Sequence, residues 1–147
     1  MRRTDERRAA VFVSYQRDVT GASIDAIAER GGFVAPAEEG LDRPGLELTP
    51  FARELAEGVE SVRAELDRLI ADNAVGWDLD RIAPLERAIL RVALYEMLYR
   101  EDIPDEVAID EAVETAKLYS GMDAPGFVNG ILGGVMKRLA RNEKGPR

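Results

Sequence analysis

The sequence predicts an all-α protein, a compact bundle of about six to seven helices. Three observations lead there. Apolar residues recur at the i, i+3, i+4, i+7 spacing of a helix face in one segment after another. No convincing alternation of apolar and polar residues marks a strand. Capping residues and prolines stand where helices would begin, and glycines where they would end. The fullest case is Pro84–Tyr99, PLERAILRVALYEMLY. Leu85, Ala88, Ile89, Val92, Ala93, Tyr95 and Tyr99 mark one face, while Leu90, Leu94, Met97 and Leu98 cover most of the other. Only Glu86, Arg87, Arg91 and Glu96 are charged. A helix this apolar all round belongs in a core, so it is read as the central helix of the bundle. Charges interrupt it too early for a membrane span.

The other elements follow in chain order. Thr4 stands where a cap would, and a helix is expected over Thr4–Val19, with Ala9, Phe12 and Val13 in its stripe and Gly21 at its end. Ser23 caps a short helix, Ile24–Arg30, which Gly31 and Gly32 stop. Residues 33–48 hold Pro36, Gly40, Pro44 and Gly45 without a period, and read as one long irregular connection. Thr49 caps and Pro50 opens the next helix. Its stripe of Phe51, Leu55, Val59, Val62, Leu66, Leu69 and Ile70 runs on to about Asp72. WDLDRIAP, from Trp77, reads as a turn before Pro84 opens the central helix. Ile103–Pro104 breaks the chain again. A helix then starts near Asp105, or at Asp110 by its better cap, and ends at Ser120–Gly121. Asp123 caps the last helix, which carries Phe127, Val128, Ile131, Leu132, Val135, Met136 and Leu139. Gly130, Gly133 and Gly134 in that helix are expected where another backbone comes close, most simply the central helix.

At 147 residues the chain is one domain, 1–147, with an N-terminal helical half, 1–76, and a C-terminal half, 77–147. It contains no cysteine and no histidine. Thiol chemistry, Cys/His zinc sites and histidine acid–base catalysis are thereby excluded. No secretory leader is read at the charged N-terminus, so a cytoplasmic protein is expected. The net charge is −8, which argues against a broadly basic nucleic-acid binder. Its distribution is uneven: residues 1–20 carry +2 and 137–147 carry +4, leaving −14 for 21–136. Local basic footprints on an acidic body are the expectation.

Asp105, Glu106, Asp110, Glu111 and Glu114 cluster, but an acidic helix face is ordinarily solvated and no calcium-loop spacing is present. No nucleophile, phosphate loop or cofactor fingerprint accompanies them, so no catalytic residue, cofactor or metal is assigned. What remains is binding. Arg2, Arg3, Arg7 and Arg8 open the first helix, with Tyr15 two turns beyond Arg8. Guanidinium groups grip phosphates, and an exposed aromatic stacks on an unpaired base.

Four segments carry a family resemblance. ERAILRVALYEML (Glu86–Leu98), VAIDEAVETAK (Val107–Lys117) and GFVNGILGGV (Gly126–Val135) resemble, in that order, the C-terminal half of the NusB transcription antitermination factors. RRAAVFVSYQRDVTG (Arg7–Gly21) is similar, more loosely, to their N-terminal segment. The resemblance implies an all-helical fold of two small subdomains and a non-enzymatic role in transcription antitermination on ribosomal RNA operons. It implies pairing with NusE, a small-subunit ribosomal protein, and binding of single-stranded boxA RNA within the transcription elongation complex. By position, Arg3, Arg7, Arg8 and Tyr15, together with Asp123 and Phe127, match the RNA-contacting groups, with Arg2 beside them counted to the same RNA contact, and Glu86 matches the NusE contact. Asp5 and Glu6 interrupt the basic run that family members often carry, which points to low RNA affinity without the partner. Two alternatives stand beside this reading. One is a dimeric helical protein-binding scaffold. The other is a stand-alone NusB-like domain of the ribosomal RNA methyltransferase type.

Overall fold

The computed structural model describes residues 2–30 and 48–144, with side chains described to residue 140. These residues form seven α-helices and one 3₁₀ turn, and no strand is present among them. No described helix is long and apolar enough to cross a membrane.

Helix α1, Arg3–Thr20, begins one residue before the predicted cap. Thr4 does not cap it; its hydroxyl donates to Glu111 at 3.0 Å and ties α1 to a later helix. Gly21 ends α1 in the left-handed region (φ 74°), its N–H bonded to the Arg17 carbonyl at 3.0 Å. Ser23 caps α2, Ile24–Arg30, as expected, its Oγ accepting the Ala26 N–H at 3.1 Å. The irregular connection expected over 33–48 lies, apart from Leu48, outside the described residues.

Thr49 caps α3, Pro50–Ser61, by accepting the Ala52 N–H at 3.3 Å. The single helix expected from Phe51 to Asp72 is in fact two, α3 and α4, Arg63–Asn73. The break falls at Val62, whose φ and ψ are −125° and 22°. Its cause is local. The Ser61 hydroxyl bonds back to the Gly58 carbonyl at 2.7 Å, and the Val62 N–H is shared between the Gly58 and Val59 carbonyls. Such back-bonding bends helices. The apolar period runs through the bend, so Leu55, Val59, Leu66 and Ile70 are all fully buried.

The turn after Trp77 contains the 3₁₀ segment Leu79–Arg81. Helix α5 spans Pro84–Tyr99, the limits that its pattern predicts. Helix α6, Asp105–Tyr119, starts at the earlier of the two candidate positions, because the Pro104 carbonyl accepts the Val107 and Ala108 N–H groups. Helix α7 spans Ala124–Lys144.

Helix α5 is the centre of the bundle, with α1, α3, α4, α6 and α7 packed against it. The close approach expected at the α7 glycines is elsewhere. A methyl group at Gly130 or Gly133 would meet nothing, and one at Gly134 would press on Asn73 of α4 at 2.9 Å. The close approach to α5 is made by Gly58 of α3, where a methyl group would overlap the Tyr95 ring.

Two of the four charges on α5 are among its most buried side chains: Arg91 is 2% exposed and Glu96 1%. Arg91 donates to both oxygens of Asp67 on α4, at 2.7 and 3.2 Å, and to Asp18 on α1 at 3.1 Å. Asp18 also accepts from Arg87 and from Arg63. Arg87 reaches further, to the Leu79 and Ile82 carbonyls at 3.3 and 3.1 Å. One carboxylate therefore ties together α1, α4, α5 and the turn before α5.

Burial alone would raise the Asp18 pKa. Arg91, Arg87 and Arg63 outweigh it and hold the carboxyl below its ordinary value. A depressed carboxylate contributes stability above its unfolded pKa and loses it as pH falls through the folded value. Asp18→Asn keeps the shape and leaves the guanidinium groups short of a charge. It should cost about 3 kcal/mol in urea denaturation near neutral pH. Wild type and variant should converge as the pH falls below about 4, where the advantage of the ionised carboxylate is lost.

Candidate nucleic-acid interface

The residues that the sequence groups at the start of α1 do not form one patch. Successive residues of a helix point about 100° apart, so Arg3 and Arg7 share one side and Arg8 and Tyr15 another. Arg2 is exposed and pairs loosely with Asp5 at 3.7 Å. Arg3 is exposed, pairs with Glu6 at 3.1 Å, and lies 3.9 Å from the centroid of the Phe51 ring. Arg100 and Arg7 flank the same ring at 5.2 and 5.8 Å. This side of α1 faces α3 and the start of α6.

Arg7 departs from the expectation of a free cation. It is buried, and its Nε donates to both oxygens of Glu96 at 2.9 and 3.0 Å. Burial raises the Glu96 pKa, Arg7 lowers it only in part, and the nearby Glu111 adds to the rise. Arg7 is thus the counter-charge of a carboxylate inside the bundle.

Arg8 and Tyr15 share the face of α1 that carries Thr4 and Phe12. Thr4 meets Glu111, and Phe12 meets Tyr119 edge to face with centroids 5.3 Å apart. Both helices therefore advance in the same direction between these two contacts. Tyr15 lies three residues beyond Phe12, and the turn between α6 and α7 follows Tyr119. Arg8 and Tyr15 are both partly buried, and Tyr15 packs against the core. The same turn holds exposed Met122 and Asp123, and the Asp123 carbonyl accepts the Phe127 N–H at 3.2 Å.

Phe127 is partly buried, so neither core nor exposed describes it alone. Its ring meets Trp77 edge to face, with centroids 5.9 Å apart. Trp77 is 53% exposed and was not among the sequence-derived candidates. It is the only tryptophan in the chain, and it follows a turn that Gly76 makes in the left-handed region (φ 82°). The sequence marks the turn, but the pairing with Phe127 joins residues fifty apart and no local pattern announces it. Glu86 is half-buried in the first turn of α5, where a negative charge also suits the helix N-terminus. Lys137 and Arg138 are exposed on α7, about 15 Å along its axis from Phe127.

The structure pairs Phe127 with Trp77, with Asp123 one helical turn before Phe127, and leaves Arg8 and Tyr15 together on one face of α1. It sends Arg3 and Arg7 to the other side of α1. Residues 4–137 match the model of the NusB family. The chain belongs to the NusB family. A transcription antitermination protein NusB from Symbiobacterium thermophilum is 44% identical over 140 residues, which are 95% of this chain and 92% of that protein. A solved NusB from T. maritima is 30% identical with a TM-score of 0.77, over 93% of this chain and 92% of the other. A structure of antitermination factors NusB and NusE in complex with dsRNA shares the fold, with a TM-score of 0.75 at 23% identity, over 92% of this chain and 96% of that one. The aromatic groups and ion pairs described above are thus features of a NusB-family bundle.

Replacing Arg7 with alanine should act on folding. It strands Glu96 in the bundle, and removing one partner of a buried pair costs about 3 kcal/mol or more. A carboxylate with a raised pKa contributes stability below its unfolded pKa and loses it as pH rises through the folded value. In Arg7→Ala the Glu96 pKa rises further. The deficit, measured by urea denaturation, should therefore be larger at about pH 8 than at about pH 5.

Proposed function

We propose that this chain is a non-enzymatic transcription antitermination factor that binds boxA-type single-stranded RNA together with NusE, in the cytoplasm and within the transcription elongation complex. The observation that carries this reading is the family match across nearly the whole chain. The exposed Trp77 beside Phe127 and the exposed cations Arg2, Arg3, Lys137 and Arg138 support it. Base stacking needs such an aromatic, and backbone contact needs such cations. The acidic remainder of the surface suits a basic protein partner such as a ribosomal protein. The chain is taken as one functional domain, because α1 of the first half and α5 of the second share one core.

Within this reading Arg2, Arg3 and Arg8 are the α1 cations that reach phosphate, and Tyr15, Asp123 and Phe127 address bases. Glu86 is assigned to the NusE contact. Arg7 holds these groups in place through Glu96.

The test is co-purification with NusE and a gel shift on boxA RNA, with each protein alone and both together. The expected result is a stable pair whose RNA affinity exceeds that of either protein. Absence of both pairing and specific RNA binding would refute the function while leaving the fold intact. If light scattering showed a dimer that persisted with RNA present and masked Arg8, a protein-binding scaffold would replace this reading.

The arginines give a second expected outcome. With about three phosphate contacts, log Kd for single-stranded RNA should change with log salt at a slope of magnitude roughly 2. Alanine at both Arg2 and Arg3 should lower that magnitude while leaving the urea midpoint near the wild-type value. A slope near zero in the wild-type protein would remove the arginines from RNA contact.

A further inference from the structure

Trp77 is not among the residues that the family resemblance assigns to RNA, yet its setting is that of a built platform. Three features hold it. The Trp77 N–H bonds to the carbonyl of Ala74 at 3.0 Å, and Ala74 is 3% exposed, so the turn is anchored in the core. Gly76 takes the left-handed conformation that closes that turn. On the other side, Arg87 grips the Leu79 and Ile82 carbonyls on the way into α5. The indole is thus placed by backbone on both sides and by its edge-to-face contact with Phe127, while about half of its surface, 53%, stays in water. Val75 beside it is 89% exposed. Trp77 and Val75 together expose a contiguous apolar surface at this turn, and such patches mark interaction sites when they are large.

The charges nearby choose between ligand chemistries. Asp78 and Asp80 are exposed in the same turn, and Asp123 is exposed one helical turn before Phe127; Arg81 is the one cation of that turn. Carboxylates repel phosphate but accept hydrogen bonds from the amino and imino groups of a base. An aromatic face beside carboxylates is suited to a splayed base, and the phosphates then run toward cations elsewhere, such as those on α1 and α7.

We propose that Trp77, with Phe127 behind it, is a stacking platform for one unpaired base of the bound RNA. This rests on the RNA-binding reading above and extends that site to the turn between α4 and α5.

The single tryptophan makes the test direct. With NusE present, boxA RNA titrated into the full chain should quench the Trp77 fluorescence and shield it from acrylamide. Trp77→Ala should weaken binding roughly 5- to 150-fold, the range for one lost base stack. Trp77→Phe should retain most of the affinity, and unchanged urea midpoints in both variants would separate stacking from folding. An abasic scan of the RNA should find one position where wild type loses about as much as Trp77→Ala, and where Trp77→Ala loses nothing more. RNA binding with unchanged fluorescence and equal affinity of wild type and Trp77→Ala would overturn the platform and leave the antitermination reading standing. Shielding by NusE alone, unchanged on adding RNA, would assign the turn to the protein partner and overturn it as well. No RNA binding by any form would overturn both.

Discussion

The carboxylate of Asp18 is the constraint on which the rest of this bundle depends. It is presented by the last turn of α1 and receives guanidinium groups from α4 and from two successive turns of α5. Arg91 must be charged to hold both Asp18 and Asp67, and it is almost entirely removed from water. Its desolvation is severe, and the charge is tolerated because each of these hydrogen bonds ends on an anion. The result is directional in a way that hydrophobic contact is not. Leucines and valines could let α1, α4 and α5 slide against one another, whereas a fan of arginines around one carboxylate accepts one arrangement. The Arg7–Glu96 pair does the same at the opposite end of the α1–α5 contact. The central helix is therefore held at two heights by charge and between them by apolar packing.

These ion pairs mark the boundary of what the sequence reveals. Apolar periodicity and turn chemistry sufficed for the class, for the limits of α5 and for the caps at Ser23 and Thr49. Those signals are local, and the physics behind them is local too. The bend at Val62 was hidden because the apolar stripe passes through it without interruption, and only the hydroxyl of Ser61 disturbs the ladder. The roles of Arg91 and Glu96 were hidden for a different reason. A charge in a helix pattern ordinarily signals a wet face. Here the partners lie on other helices, twenty-four to almost ninety residues away along the chain.

The candidate site shows the same division. Family words in the sequence pointed to Arg3, Arg7, Arg8, Tyr15, Asp123 and Phe127, and most of these are at or near the surface. Their sorting is a matter of helix rotation. Arg7 and Arg8 are neighbours in sequence, yet one turns to Glu96 and the other to a different face of α1. A run of arginines read as one basic patch is two populations with separate partners. Trp77 escaped because it sits in a turn, where no period applies, and because its neighbour Phe127 belongs to the last helix.

The geometry also links stability to recognition. Arg87 bonds in one direction to Asp18 and in the other to the carbonyls of Leu79 and Ile82, which close the turn carrying Trp77. Weakening the Asp18 cluster would therefore loosen the turn before it unfolded the bundle, since the turn has few apolar contacts of its own and local opening starts where such contacts are sparse. An aromatic side chain that must be held open to a ligand gains from rigid support, because ordering it at the moment of binding would cost affinity. The buried charges thus do more than specify the helix packing. They also hold in advance an exposed turn where the core reaches the surface as an aromatic pair. On the proposed platform, the acidic groups around that turn would leave phosphate to cations elsewhere, so that base and backbone would be addressed by separate parts of the same bundle.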